Sequence, residues 1–148
     1  MAAQNSTDNI DVPNRRDAAW GLTPGGYNGQ LDEFIFLAGA TVNPYRAVKP
    51  GASAGLLIQG AAATDLTIGV TQAPQAALVN QPLMVCVTGV GKIEVGAAPV
   101  VAGDVLTSDT VGRAVTSAGA TDRVIGVALE AGAAAAIIRL IVNPSFHG

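Results

Sequence analysis

Val124-Ile125-Gly126-Val127-Ala128-Leu129-Glu130-Ala131-Gly132-Ala133-Ala134-Ala135-Ala136-Ile137-Ile138-Arg139-Leu140-Ile141-Val142 is apolar enough to invite a membrane reading. Glu130 and Arg139 fall inside it, and ionisable groups are costly at bilayer depth. Its middle is Ala and Gly. Two β-rich runs joined by a small-residue connection account for the stretch better, as two strands and a loop. In the second run, Ile137 to Val142, every position but Arg139 is apolar, and Leu83-Met84-Val85-Cys86-Val87 is apolar throughout. A strand in a solvated antiparallel sheet carries one polar face. These two strands are therefore expected to be covered on both sides, by the domain's own core and by another protomer.

Upstream, part of the same stretch occurs twice. Ala63-Thr64-Asp65-Leu66-Thr67-Ile68-Gly69-Val70 matches Ala120-Thr121-Asp122-Arg123-Val124-Ile125-Gly126-Val127 at six of eight positions, 57 residues apart. Thr-Asp suits a side-chain-to-backbone turn. Gly within Ile-Gly-Val permits close approach of another backbone. Each copy precedes a further apolar strand, so two turn-and-strand units are expected to pack as pseudo-symmetric halves of one barrel.

Other strand signals are Phe34 to Ala38, Tyr45 to Val48, Leu56 to Ile58, Leu66 to Thr71, Pro82 to Val90, Lys92 to Val95, Val105 to Thr107 and Arg113 to Val115. Gly89-Val90-Gly91-Lys92 lacks the spacing of a phosphate loop and reads as a hairpin turn. No segment gives an amphipathic helix. The fold class expected is all-β, a small barrel or sandwich of short strands over residues 34–148. Residues 1–33 are different: rich in Asn, Asp, Gln, Gly and Pro, without apolar period, they read as an extended N-terminal arm. Trp20 and Tyr27 sit in this polar segment, where they either fold back on the chain's own core or anchor the arm on a neighbouring subunit. With Arg15, Arg16 and Arg139 they are the candidate interface residues.

Charged residues make up only 13% of the chain against about 25% in ordinary soluble domains. That shortage favours a surface partly buried by partners, and a homo-oligomer in particular. Net charge is −3, and Arg15-Arg16 is the only cationic cluster, which argues against nucleic acid. No signal peptide is expected in Met1 to Asn5. Cys86, the single cysteine, reads as a small buried hydrophobe.

Catalytic groups are scarce. His147 is the only histidine and stands next to the last residue, a poor place for a general base. One Cys and one His do not furnish the usual zinc set. The carboxylates Asp32, Glu33, Glu94, Asp104, Asp109, Asp122 and Glu130 mostly adjoin Gly, Ser or Thr and read as turn acceptors. Asp104 and Asp109 are considered as a calcium pair across a hairpin, although no EF-hand loop accompanies them. No enzyme activity, cofactor or metal is expected.

Ala97-Ala98-Pro99-Val100-Val101-Ala102-Gly103-Asp104-Val105-Leu106-Thr107 is followed by Gly112-Arg113-Ala114-Val115, by Asp122 to Gly132 and by the strand Ile137 to Val142. This order resembles the capsid decoration (cement) proteins of tailed bacteriophages over residues 83–142. Phe34 to Val70 follows them loosely, and the first thirty residues hardly at all. The resemblance implies a β-rich domain that forms homotrimers on the outer surface of an icosahedral head, assembled in the host cytoplasm. There it would clamp neighbouring subunits of the major capsid protein, with arms reaching across them. It implies no catalytic residues, nucleic acid or membrane. Two other classes compete: a carbohydrate- or surface-binding β-sandwich, which needs exposed aromatics where this chain has 4%, and a small two-carboxylate hydrolase.

Overall fold

The computed structural model describes residues 33–146. The expected arm lies outside the described residues apart from Glu33, which opens the first strand. Ten strands follow: β1 Glu33–Ala38, β2 Ala47–Pro50, β3 Leu56–Gln59, β4 Gly69–Thr71, β5 Pro82–Cys86, β6 Gly89–Glu94, β7 Val105–Ser108, β8 Ala114–Thr116, β9 Arg123–Ala128 and β10 Ile137–Phe146. Among the described residues no helix forms, and the fold is all-β.

The first five strands close a barrel in the order β1-β3-β2-β4-β5, with β1 also pairing β5. The last five form a sheet in the order β6-β10-β9-β7-β8. The two arrangements are the same once each strand is matched to the one five places on. β1 meets β3 in parallel, and the single parallel bridge Val95↔Ala114 joins the end of β6 to β8 in the same way. Gly39 N donates to Leu57 O and Gly96 N to Ala114 O, both at 2.7 Å. The bridge Val42↔Ala77 has its counterpart in Val100↔Gly132. The internal repeat therefore extends far beyond its eight residues: it is a whole five-stranded unit used twice. Expectation and structure differ in one respect. The copies do not share one barrel: the first five strands close their own and the last five form a second sheet.

The repeated residues explain why the strands of each unit approach so closely. An added Cβ on Gly69 would overlap the carbonyl oxygen of Cys86, and one on Gly126 that of Ile141, so both glycines serve the close approach expected of them. The Thr-Asp turn is used alike in both copies. Asp65 Oδ2 accepts from Ala61 N at 2.7 Å, and Asp122 Oδ2 accepts from Ala118 N at 3.0 Å. Leu66 to Ile68, expected as strand, forms the exit of that turn, with Thr67 N donating back to Asp65 O. The strand begins only at Gly69.

Gly89 to Lys92, expected as a hairpin turn, lies in β6. The break falls earlier, at Val87-Thr88, where the chain leaves the first unit for the second. Gly91 serves packing: a Cβ there would stand 3.0–3.2 Å from Val142, the Cys86 sulfur and the Gln72 amide, tighter than ordinary contact.

Ala38, Val42, Val48, Leu57, Leu83 and Val85 fill the first unit. Ile93, Leu106, Ile125, Ile138, Leu140 and Val142 fill the second, whose core also takes in Ala47, Val70 and Cys86 from the first. Each such Val, Leu or Ile contributes about 1.5–3 kcal/mol on burial, so the shared residues make the two units one body. Polar links add to this. Arg46 pairs with Glu94 at 3.0 Å, Ala47 N donates to Gly112 O at 2.8 Å, and Arg123 N donates to Ala63 O at 2.7 Å.

Candidate interaction surface

Strand alternation decides what remains outside. On β5, Leu83 and Val85 point inward while Met84 points out; on β10, Ile138, Leu140 and Val142 point inward while Ile137, Arg139 and Ile141 point out. The chain's own core thus covers one face along each strand, and on β5 the other face only at Cys86, which enters the second unit's core. The opposite faces stay apolar and open. Ile35 lies opposite Met84, Val90 opposite Ile141, and Ile141 opposite Val127. Their exposures are 73% for Ile35, 43% for Met84, 58% for Val90 and 46% for Ile141. Exposed aliphatic residues scattered singly are ordinary, whereas these lie paired across neighbouring strands as a contiguous apolar patch.

A cleft of about 330 Å³ joins the two rows, lined by Tyr45, Gln72, Met84, Val90, Gly91, Lys92 and Arg139. Gln72 fixes its floor. The amide oxygen accepts from Lys92 N at 3.0 Å, and the amide nitrogen donates to the carbonyls of Val70, Thr71 and Lys92 at 3.1–3.2 Å. Tyr45 has φ 55, a conformation that costs a side-chain-bearing residue about 1–2 kcal/mol. At the corresponding place in the second unit stands Gly103, φ 96.

Of the candidate interface residues, Trp20, Tyr27, Arg15 and Arg16 lie outside the described residues, as does His147. Arg139 is on the exposed face but already engaged: its guanidinium meets Glu130 through Nε at 3.1 Å and a second nitrogen at 2.9 Å, and its backbone N–H donates to the same carboxylate at 2.8 Å. The Arg139 side-chain hydrogen bond, with the backbone bond behind it, lowers the Glu130 pKa to about 2. Tyr45 and Lys92 escape sequence reasoning as cleft residues; for Lys92 the reason is that a turn at Gly89 to Lys92 erases the strand phase that puts Val90 and Lys92 outward.

Among the described residues, Asp65, Glu94, Asp104, Asp109 and Asp122 serve turns and ion pairs. Asp104 Oδ2 accepts from Val101 N and from the Thr116 hydroxyl. Asp109 holds Val111 N and Arg113 N and pairs with the Arg113 guanidinium at 2.8 Å. The suggested calcium pair fails on geometry. Asp104 and Asp109 stand at opposite ends of β7, and a strand rises about 3.3 Å per residue, too far for one ion.

No family model matches this chain, and no curated protein matches its sequence. Among solved structures it is similar to the N base of head fiber gp8.5 of bacteriophage phi29, with a TM-score of 0.59 and 19% identity, over 77% of this chain and 95% of that one. At that identity the likeness lies in the fold.

Proposed function

We propose that this chain is a non-enzymatic structural protein of a tailed-phage head. It sits on the outer capsid surface as a homotrimer and cements neighbouring major capsid subunits. The observation that carries the reading is the open apolar row of Ile35, Met84, Val90 and Ile141 on a fold like that of a phage head fiber base. Three linked chains present three contacts at once, and linkage raises apparent affinity by orders of magnitude over a single modest contact. The arm, with Trp20, Tyr27, Arg15 and Arg16, adds contacts outside the β-unit. The order of residues 83–142 supports the same role.

The test joins sedimentation of the purified chain with electron microscopy of heads bearing and lacking it. A trimer in solution, density at three-fold positions and heads that survive harsher heating when decorated are the expected results. A monomer at every concentration, with no occupancy on heads, overturns the proposal. Deleting residues 1–30 is expected to leave the circular dichroism of the β-unit unchanged and to weaken occupancy; undiminished occupancy removes the arm from the mechanism.

A further inference from the structure

The cleft between the two units holds charge that its own surroundings do not neutralise. Lys92 and Arg139 stand directly opposite on β6 and β10, and like charges so placed repel. Arg139 is offset by Glu130, whereas Lys92 has no carboxylate partner among the described residues. A second observation comes from the other wall. Tyr45 holds a left-handed backbone conformation where the matching position of the second unit is glycine, so a phenol is placed in the cleft against its backbone preference. Gln72 spends its hydrogen bonds on backbone groups. Besides the Arg139 guanidinium already paired with Glu130, the lining residues offer the Lys92 ammonium and the Tyr45 hydroxyl as side-chain donors, beside the apolar side chains of Met84 and Val90.

We propose that this cleft receives the carboxylate of an Asp or Glu side chain carried beside an aliphatic residue on an extended segment of a partner protein. The inference rests on the proposed function, in which this face docks against protein. The ammonium and phenol satisfy the carboxylate by charge-assisted hydrogen bonds, and the aliphatic neighbour covers Met84 and Val90. A nucleic acid would need a longer run of cations than Lys92 and Arg139 supply. A sugar site stacks its guest on several aromatic faces, and Tyr45 is the one aromatic residue in this lining.

The probe is a capped peptide, Val-Glu-Val-Glu-Val, titrated into the full-length chain while NMR signals of Tyr45, Val90 and Lys92 are followed. A Gln-for-Glu peptide and a glucuronate oligosaccharide serve as controls. The Glu peptide is expected to shift those signals, with binding weakened about tenfold or more by the Gln peptide, by Lys92→Gln or by high salt. Lys92 is exposed, so that variant keeps the fold. Equal binding of the Gln peptide, indifference to Lys92→Gln, shifts from the glucuronate alone, or no shift at all each overturn the proposal. Occupancy on heads separates the two readings. A chain that decorates heads but ignores the peptide loses this inference and keeps the proposed function. A chain that binds the peptide through Lys92 yet never decorates heads does the reverse.

Discussion

The two units of this protein have the same strand plan and different outsides. Where backbone meets backbone they agree: Gly69 with Gly126, the Asp65 turn with the Asp122 turn, and even the left-handed Asn80 with the left-handed Ala135, each donating its N–H back to the strand end at Ala38 or Val95. Where side chains face out they part. The cross-strand pair Ile35–Met84 of the first unit becomes Lys92–Arg139 in the second. Chain closure thus fixes a small set of residues, and the outer face is free of that constraint. Both units expose aliphatic side chains, the second adds the Lys92 and Arg139 charges, and the cleft takes lining residues from each.

Equivalence of the two glycines makes the strongest demand. Gly126→Ala and Gly69→Ala each drive a Cβ into a carbonyl oxygen of the neighbouring strand, and backbone there has nowhere to go. Each is expected to cost about 3 kcal/mol or more, read as the loss of urea midpoint at constant slope. Because the units share core residues, either substitution should unfold the whole β-body in one transition. A variant that melts in two steps, one unit after the other, would show the halves to be separable and break the comparison.

Much of this fold is legible in the sequence, and the failures have physical causes. The strands at Phe34, Leu56, Val105 and Val124 stand out because β-rich runs are bounded by Gly, Pro or Asp. The Ile-Gly-Val glycines show their role in sequence, since a glycine between two β-branched residues has few other uses. The extent of the repeat is hidden. Outside the closure residues the units share register, and register leaves no mark in residue identity: Ile35 and Lys92 occupy the same place with opposite chemistry. Gly91 misleads for a related reason. A glycine that admits a packed neighbour looks, in sequence, like a glycine that turns the chain. The apolar strands read more plainly: the face carrying Leu83 and Val85 meets the core as expected, and the opposite face at Met84 and Ile141 is left open.

A milder contrast sharpens the asymmetry between the hairpins. Gly55, in the β2–β3 turn, has φ 80 and open space where a Cβ would stand, while Gly112, in the β7–β8 turn, has φ 78 and lies against Gln59, the Ala47 carbonyl and Arg46. Gly55→Ala therefore meets only backbone strain, about 1 kcal/mol. Gly112→Ala meets the same strain and also pushes the second unit off the first, so about 2 kcal/mol or more is expected. Equal losses in chemical denaturation would mean that the β7–β8 turn is not a seat for the first unit.

The smallest effect concerns the ion pair that only the second unit has. Met84 occupies in β5 the place that Arg139 takes in β10, so Glu130 and Arg139 are no part of the shared closure. The Glu130 carboxyl titrates at about 2 against an ordinary 4.5, chiefly through the Arg139 guanidinium. A folded pKa below the unfolded one means that the pairing helps fully above the unfolded value and is lost as pH falls toward the folded one. In an NMR titration Arg139→Gln is expected to raise the Glu130 midpoint, though not fully to 4.5, because the residue 139 backbone N–H still donates at 2.8 Å. Near neutral pH the variant should keep the wild-type fold and most of its stability, since the pair is solvent-exposed and such pairs contribute little. An unmoved midpoint would assign the shift to the backbone bond alone, leaving Arg139 as free as Lys92 to meet a partner's carboxylate.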